Sequence, residues 1–210
     1  MIEKYEKILT KIEKILKVEL QKYKQWQPIK KYNPTVVNKN TNKFENEKIY
    51  LDTGSLSDIN NYSNDLAIFN CNNKPSRASL LPETKSVYFA KLKNTNKYLL
   101  INNNKDILNN YILSSGFLGI KESDDFPLSL IFSILISRDF IINKDNNCQG
   151  TTMAALTLEN FYKINVKYLT KQERKNFDNK YKCFVFLFET ISLKIKKLNN
   201  IKTNLLNKYF

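Results

Sequence analysis

Glu83-Thr84-Lys85 has the residue types and spacing from which metal-dependent phosphodiester cleavage is built. In that chemistry carboxylates hold a divalent cation and a lysine stabilises charge on the attacked phosphate. An upstream Asp65 or Asp58 would have to supply the second carboxylate. A bare ExK arises often by chance, and the competing reading is a solvated turn after Pro82. Other chemistries have less to stand on. The chain has 0 histidines, which removes the commonest general base and most zinc sites. Cys71, Cys148 and Cys183 are odd in number and far apart, so they read as free thiols rather than a disulfide framework or metal knuckle. With 4 glycines no phosphate-cradling GxxxxGK[ST] loop can be assembled. Also absent are the Gly-rich cofactor loop and Asn/Asp-Pro-Pro motif with which a methyltransferase holds a flipped base. The expectation is a non-catalytic protein with no metal and no cofactor.

The elements that would position a binding surface are clearer. From Ile2 to about Trp26 apolar residues fall at Ile2, Tyr5, Leu9, Ile12, Leu16, Leu20 and Tyr23, the steps of an amphipathic helix. Pro28 and Pro34 end it and open an Asn/Lys-rich stretch. Residues 1–27 are thus expected as a helix and 28–47 as a linker. From 48 to 169 short β-rich runs (KIYLDTGSL, DLAIF, SVYFAKL, KYLLI, YILSSGFLGI, FYKINVKYL) alternate with turn-forming clusters, and a helix is expected from Pro127 to Ser137. This is an α+β pattern: one mixed domain flanked by long amphipathic helices. Over 170–210 Phe177, Tyr181, Phe184, Phe188, Ile191, Ile195, Leu198 and Leu205 step by threes and fours, with only Lys202 breaking the series and no Gly or Pro between them. Such a heptad seam predicts a coiled-coil helix of roughly 55 Å, part of whose seam needs a partner from outside the domain.

The formal charge of +14 is unevenly placed. Residues 1–50 hold 12 Lys against 6 acids, residues 51–170 hold 12 basic against 11 acidic residues, and residues 171–210 hold 10 against 3. Basic ends suit a polyanionic partner. A Lys- and Asn-rich, AT-biased genome offers a plainer source of the same charge. No run of about 18 apolar residues exists to span a membrane, and the opening MIEKYEKILTKIEK carries acids and lacks an apolar block. A cytoplasmic protein with no membrane partner is expected.

Four short segments occur in a telling order: Tyr50-Leu51-Asp52-Thr53-Gly54-Ser55-Leu56, Pro75-Ser76-Arg77-Ala78, Ser114-Ser115-Gly116-Phe117 and Gly150-Thr151-Thr152-Met153. Leu156 to Val166, containing Asn160-Phe161-Tyr162-Lys163-Ile164, follows as a strand leaving the domain, and then the long helix, ending Thr203-Asn204-Leu205-Leu206-Asn207-Lys208-Tyr209-Phe210. Over about residues 48–210 this succession resembles the target recognition domain and spacer helix of the specificity subunits of type I restriction-modification systems. The Pro-rich turn and Glu-Gln that commonly open that helix are represented only by Tyr168-Leu169-Thr170-Lys171-Gln172-Glu173. The family usually carries two recognition domains and two spacers, whereas one of each is present here, as in half a subunit.

The resemblance implies double-stranded DNA as ligand, with contacts at Lys74, Ser76, Arg77, Lys91, Lys93, Thr151 and Thr152. For Arg77 a phosphate contact and a bidentate contact to guanine are both open. It further implies a DNA adenine methyltransferase subunit and a restriction/motor subunit as partners. Pairing through the C-terminal helix, with a second copy or another specificity half, would let two heads read the halves of a bipartite site. The N-terminal helix either adds to the coiled coil or is what remains of a preceding spacer. An antagonist that mimics a specificity subunit and sequesters the methyltransferase has the same sequence features, and a nuclease using Glu83 and Lys85 is the further alternative.

Overall fold

The computed structural model describes residues 1–37, 41, 43–62, 65–151 and 153–209. In chain order its elements are helix α1 (Ile2–Leu20), strands β1 (Trp26–Pro28), β2 (Thr35–Val37), β3 (Lys48–Leu51), β4 (Ile68–Phe69), β5 (Ala78–Leu80), β6 (Ser86–Ala90) and β7 (Tyr98–Ile101). Helix α2 (Lys105–Asn110) follows, then strands β8 (Tyr111–Ser114) and β9 (Phe117–Lys121). Helices α3 (Leu128–Leu135), α4 (Arg138–Asn146) and α5 (Leu158–Lys163), strand β10 (Asn165–Lys167) and helix α6 (Lys171–Tyr209) complete the chain. None of the described helices is long and apolar enough to cross a membrane.

The densest apolar run, LSLIFSIL, forms α3, and all 8 of its residues are buried. Such a helix must be covered on every side. Helices α1, α4 and α6 and strand β6 do so. Its two serines are satisfied inside: Ser133 donates to the Ser129 carbonyl (2.7 Å) and Ser129 to Asp178 of α6 (2.7 Å). Where a single helix was expected to run to Ser137, that residue instead caps a second one, α4, its hydroxyl accepting the Phe140 amide.

Two four-stranded sheets form the rest of the head. One has the order β2-β9-β6-β7 and is antiparallel throughout, and the other, β4-β3-β8-β5, pairs β3 with β8 in parallel. Leu51, Leu80, Tyr88, Leu99, Leu113 and Phe117 fill a second core alongside the main one. Gly119 of β9 lies opposite Tyr88 and Val37, and a Cβ there would sit 2.3 Å from the Tyr88 ring, so only glycine lets that ring lie across the strand.

Three expectations change. Helix α1 stops at Leu20, because Trp26–Pro28 pairs antiparallel with β10 instead of extending the helix. The stretch taken for a linker contributes the last residue of β1, strand β2 and a 3-10 turn whose Ile29 and Tyr32 are fully buried. Asn160 to Ile164, read as strand, lies in and just after α5, since Thr157 accepts the Asn160 amide and nucleates a turn.

Helix α6 has 39 residues, about 58 Å at the usual rise. It opens on a capping box: Glu173 accepts the Thr170 amide (2.7 Å) and Thr170 accepts the Glu173 amide. Its seam is used differently from the expectation. Phe177, Tyr181 and Phe188 are buried in the chain's own core with Ile12, Leu16 and Leu20 of α1, Phe184 is partly buried there, and Ile191 is buried as well. Ile195 and Leu198 are half-covered, while Leu205 is 52% exposed. Periodicity marks an apolar face without saying which surface covers it, and here α1 and α3 cover the first half.

Helix α1 is held to α6 by Glu19, which accepts hydrogen bonds from Lys22 and from the Tyr181 hydroxyl and lies 3.5 Å from the Lys180 ammonium. The Lys22 and Tyr181 hydrogen bonds, with these cations, hold its carboxyl down from 4.5 to about 2. A depressed folded-state value means stability present above pH 4.5 and lost as pH falls towards 2. Glu19→Gln is expected to lower stability by about 1 kcal/mol at neutral pH. In urea titrations the gap to the parent should close by pH 2 to 3; a gap independent of pH would assign it to packing.

Candidate nucleic-acid interface

The four landmark segments are far apart in sequence and meet at one end of the head. The chain leaves β3 through a turn in which Asp52 accepts the Ser55 amide (2.7 Å) and hydroxyl (2.9 Å). Beside it lies Ser115-Gly116, the turn by which the chain passes from β8 in one sheet to β9 in the other, where a Cβ on Gly116 would stand 3.3 Å from Thr53. The Ser115 amide donates to the Arg77 carbonyl (2.8 Å), and the Lys91 amide to the Gly116 carbonyl (3.0 Å). The loop after β6 reaches the fourth landmark: the Lys93 amide donates to Ala154 (2.9 Å) and the Leu156 amide to Lys91 (2.9 Å). Gln149 and Ala155 exchange both backbone hydrogen bonds around Gly150, whose φ of +124° disfavours any side chain.

This framework rests on a buried ion pair. Lys144 of α4 is 1% exposed and donates to the Leu92 carbonyl (2.9 Å) and to Asp145 (2.6 Å). Asp145 in turn accepts the amide of Asn94, which sits at φ 58°. Lys97 closes the loop on the other side by donating to the Thr53 carbonyl (2.8 Å).

The sequence-predicted site residues fall within this cluster but not in equal roles. Arg77 and Lys93 are exposed, as are Ser76 and Thr151. Lys91 is half-buried, and burial, then the neighbouring Arg77 charge, push its ammonium below the usual lysine range. Lys74 is not a free cation: its ammonium donates to the Ala78 carbonyl (2.7 Å) and shapes the loop ahead of Arg77. Thr152 and Phe210 lie outside the described residues. Sequence reasoning missed Asn94, Lys97, Lys144, Gln149 and the 65%-exposed Met153. The KLKNTNK turn between two β runs was a signal for the first two, whereas a lysine buried in the largely polar helix RDFIINKDN has none.

Glu83 and Lys85 are committed elsewhere. Glu83 pairs with Lys121 (2.6 Å) and Lys85 with Glu122 (3.2 Å), both straps from the β5–β6 turn to the end of β9. Among the described residues no group of three or more His, Cys, Asp or Glu is placed to hold a metal ion.

No family profile and no curated protein matches this sequence. Solved structures do match its fold. One is a chain from work on the structural basis of complex assembly and conformational transition of the type I R-M system, at 16% identity and TM-score 0.52. Another is the HsdS subunit from Thermoanaerobacter tengcongensis, at 14% identity and TM-score 0.51. Each likeness covers 88% of this chain and 46% of the other, so the chain spans about half their length. The α+β head on a long helix therefore shares its fold with about half of each of these chains.

Removing the buried cation tests the framework. Lys144→Met should cost about 3 kcal/mol, since it strands Asp145 and the Leu92 carbonyl, and should speed amide exchange at Asn94 before the core strands are affected. Unchanged protection at Asn94 would show that the loop is held by other contacts.

Proposed function

We propose that this chain is a sequence-recognition half of a type I restriction-modification specificity assembly: the loop end of the head reads one half of a split DNA site, and the distal part of α6 joins it to a second copy that reads the other half. The observation that carries this reading is the convergence of the four landmark segments on one basic loop surface. That surface caps a fold whose solved neighbours are about twice as long. Phosphate contacts from Lys93 and its neighbours would orient the duplex, and uncharged side chains such as Thr151 and Gln149 are the right chemistry for base edges. The chain itself would supply the address, with methylation of adenine and cleavage belonging to methyltransferase and motor subunits that dock on it.

The partner surface follows from the bare end of the seam. Leu198, Ile201, Leu205 and Leu206 form an apolar patch with Met1 and Ile2 of α1, open to solvent. A second copy offers the same strip, and two such strips related by a two-fold axis are self-complementary. Helix α1 then belongs to the rod as well as to the head.

Methylome sequencing of a host expressing this chain with its cognate methyltransferase tests the reading. A new adenine-methylated motif split by a constant gap is expected. A fall in existing modification, with no new motif, would identify an antagonist instead. For the pairing, Leu205→Asp is expected to turn a sedimenting dimer into a monomer with an unchanged melting temperature; a parent that sediments as a monomer until mixed with another specificity half would replace the homodimer by a hetero-pair.

A further inference from the structure

Resting on the reading that the loop end binds DNA, we infer that Arg77 and Lys91 form a single phosphodiester clamp astride the Ser115-Gly116 turn, setting the register of the head on the backbone without reading sequence. The two residues are fixed on either side of that turn by its own backbone. The Ser115 amide is bonded to the Arg77 carbonyl (2.8 Å) and the Gly116 carbonyl to the Lys91 amide (3.0 Å). Lys91 is further pinned by the Leu156 amide on its carbonyl (2.9 Å). Exposed Ser115 stands at the tip of the turn between them.

Among the described residues no carboxylate forms an ion pair with either cation. The nearby carboxylates are otherwise engaged: Asp52 with Ser55, and Asp145 with Lys144 and the Asn94 amide. Two like charges flanking one turn, one of them half-buried, repel each other, and the ammonium has given up part of its hydration. One anion between them relieves both costs at once. A base edge does not, because purine acceptors carry no formal charge.

The geometry also separates the clamp from recognition. A side chain that reads a base must reach into the groove, and a lysine whose stem is half-buried has less of its length free to extend. A phosphate at the rim needs no such reach. Sequence discrimination then falls to the exposed neutral groups on the flanking loops, Asn94 and Asn96 on one side and Gln149 and Thr151 on the other.

The test uses the full chain, its target duplex as defined by methylome sequencing, and a random-sequence duplex of equal length, with binding followed by fluorescence anisotropy across a salt series. Arg77→Ala and Lys91→Ala are each expected to weaken both duplexes by the same factor, about three- to tenfold. The double variant should lower the slope of log affinity against log salt by about one, not two, because one phosphate is lost. Lys91→Arg should keep the parent slope. Circular dichroism melts of the variants should overlay the parent, since neither side chain supports the core. Loss confined to the target duplex in Arg77→Ala would overturn the clamp in favour of guanine readout, and additive slope losses would overturn the shared phosphate. Inorganic phosphate at constant ionic strength should not compete; competition that brings the parent to the level of the variants would assign the site to free phosphate. A parent chain that shows no salt-dependent binding to either duplex would instead remove the DNA reading itself.

Discussion

Arg174 is where the long helix meets the head, and the remainder of the architecture depends on how that one charge is buried. Its guanidinium donates to the Leu169 carbonyl (2.9 Å), the Asp125 carbonyl (2.7 Å) and the Tyr168 hydroxyl (3.2 Å), and lies 4.8 Å from the centre of the Tyr32 ring. Tyr32 extends the junction: it stacks on Phe126 at 4.5 Å, donates to the Lys167 carbonyl and accepts the Leu169 amide. A charge is tolerable in such a place only when every donor and the cation's face are answered, and an arginine offers five donors and a flat face to answer with. The first turn of α6 thereby leaves β10 at one angle.

A second polar anchor fixes the same helix further along. Glu189, 5% exposed, accepts the amides of Asn102 (2.8 Å) and Asn103 (3.2 Å), and burial pushes its carboxyl above the ordinary carboxylate value against the pull of those amides. Between the two anchors, 15 residues apart and so separated by about 22 Å, Phe177, Tyr181 and Phe188 fill the core. Past them Lys196 lies 3.8 Å from the Tyr62 ring and donates to the Tyr111 hydroxyl. Ties at three levels fix the direction in which α6 leaves the head. For the proposed role that direction sets where a partner's head would stand.

The loop end follows the opposite strategy. Its turns are held mainly by backbone to backbone hydrogen bonds and by the buried Lys144–Asp145 pair, which leaves Ser76, Arg77, Lys93, Asn96 and Thr151 exposed at the surface. A surface built this way can exchange its exposed side chains at little cost to the scaffold, which is the property a recognition surface needs.

Much of this was legible in the residues. The α1 and α6 faces, the strands KIYL, SVYFA and YLLI, and the β-rich run YILSSGFLGI followed from period and turn chemistry, because those signals are local, whereas the division of that run between two sheets did not. The strands at 26–28 and 35–37 were hidden by prolines and by their brevity, and each exists only because a distant edge, β10 or β9, has open hydrogen-bonding groups to offer. Composition and patterning by themselves determined an α+β head, a long apolar-striped helix and a chain without obvious catalytic equipment. Tertiary structure alone decided that the first half of the stripe is spent on α1 and α3, that Lys74 shapes a loop while Lys91 faces Arg77, and that four scattered landmarks form one surface. The physical reason is range: periodicity records which face of an element is apolar, whereas the surface that covers it is chosen by packing between distant residues, 49 positions apart for Ser129 and Asp178 and 162 for Glu19 and Tyr181.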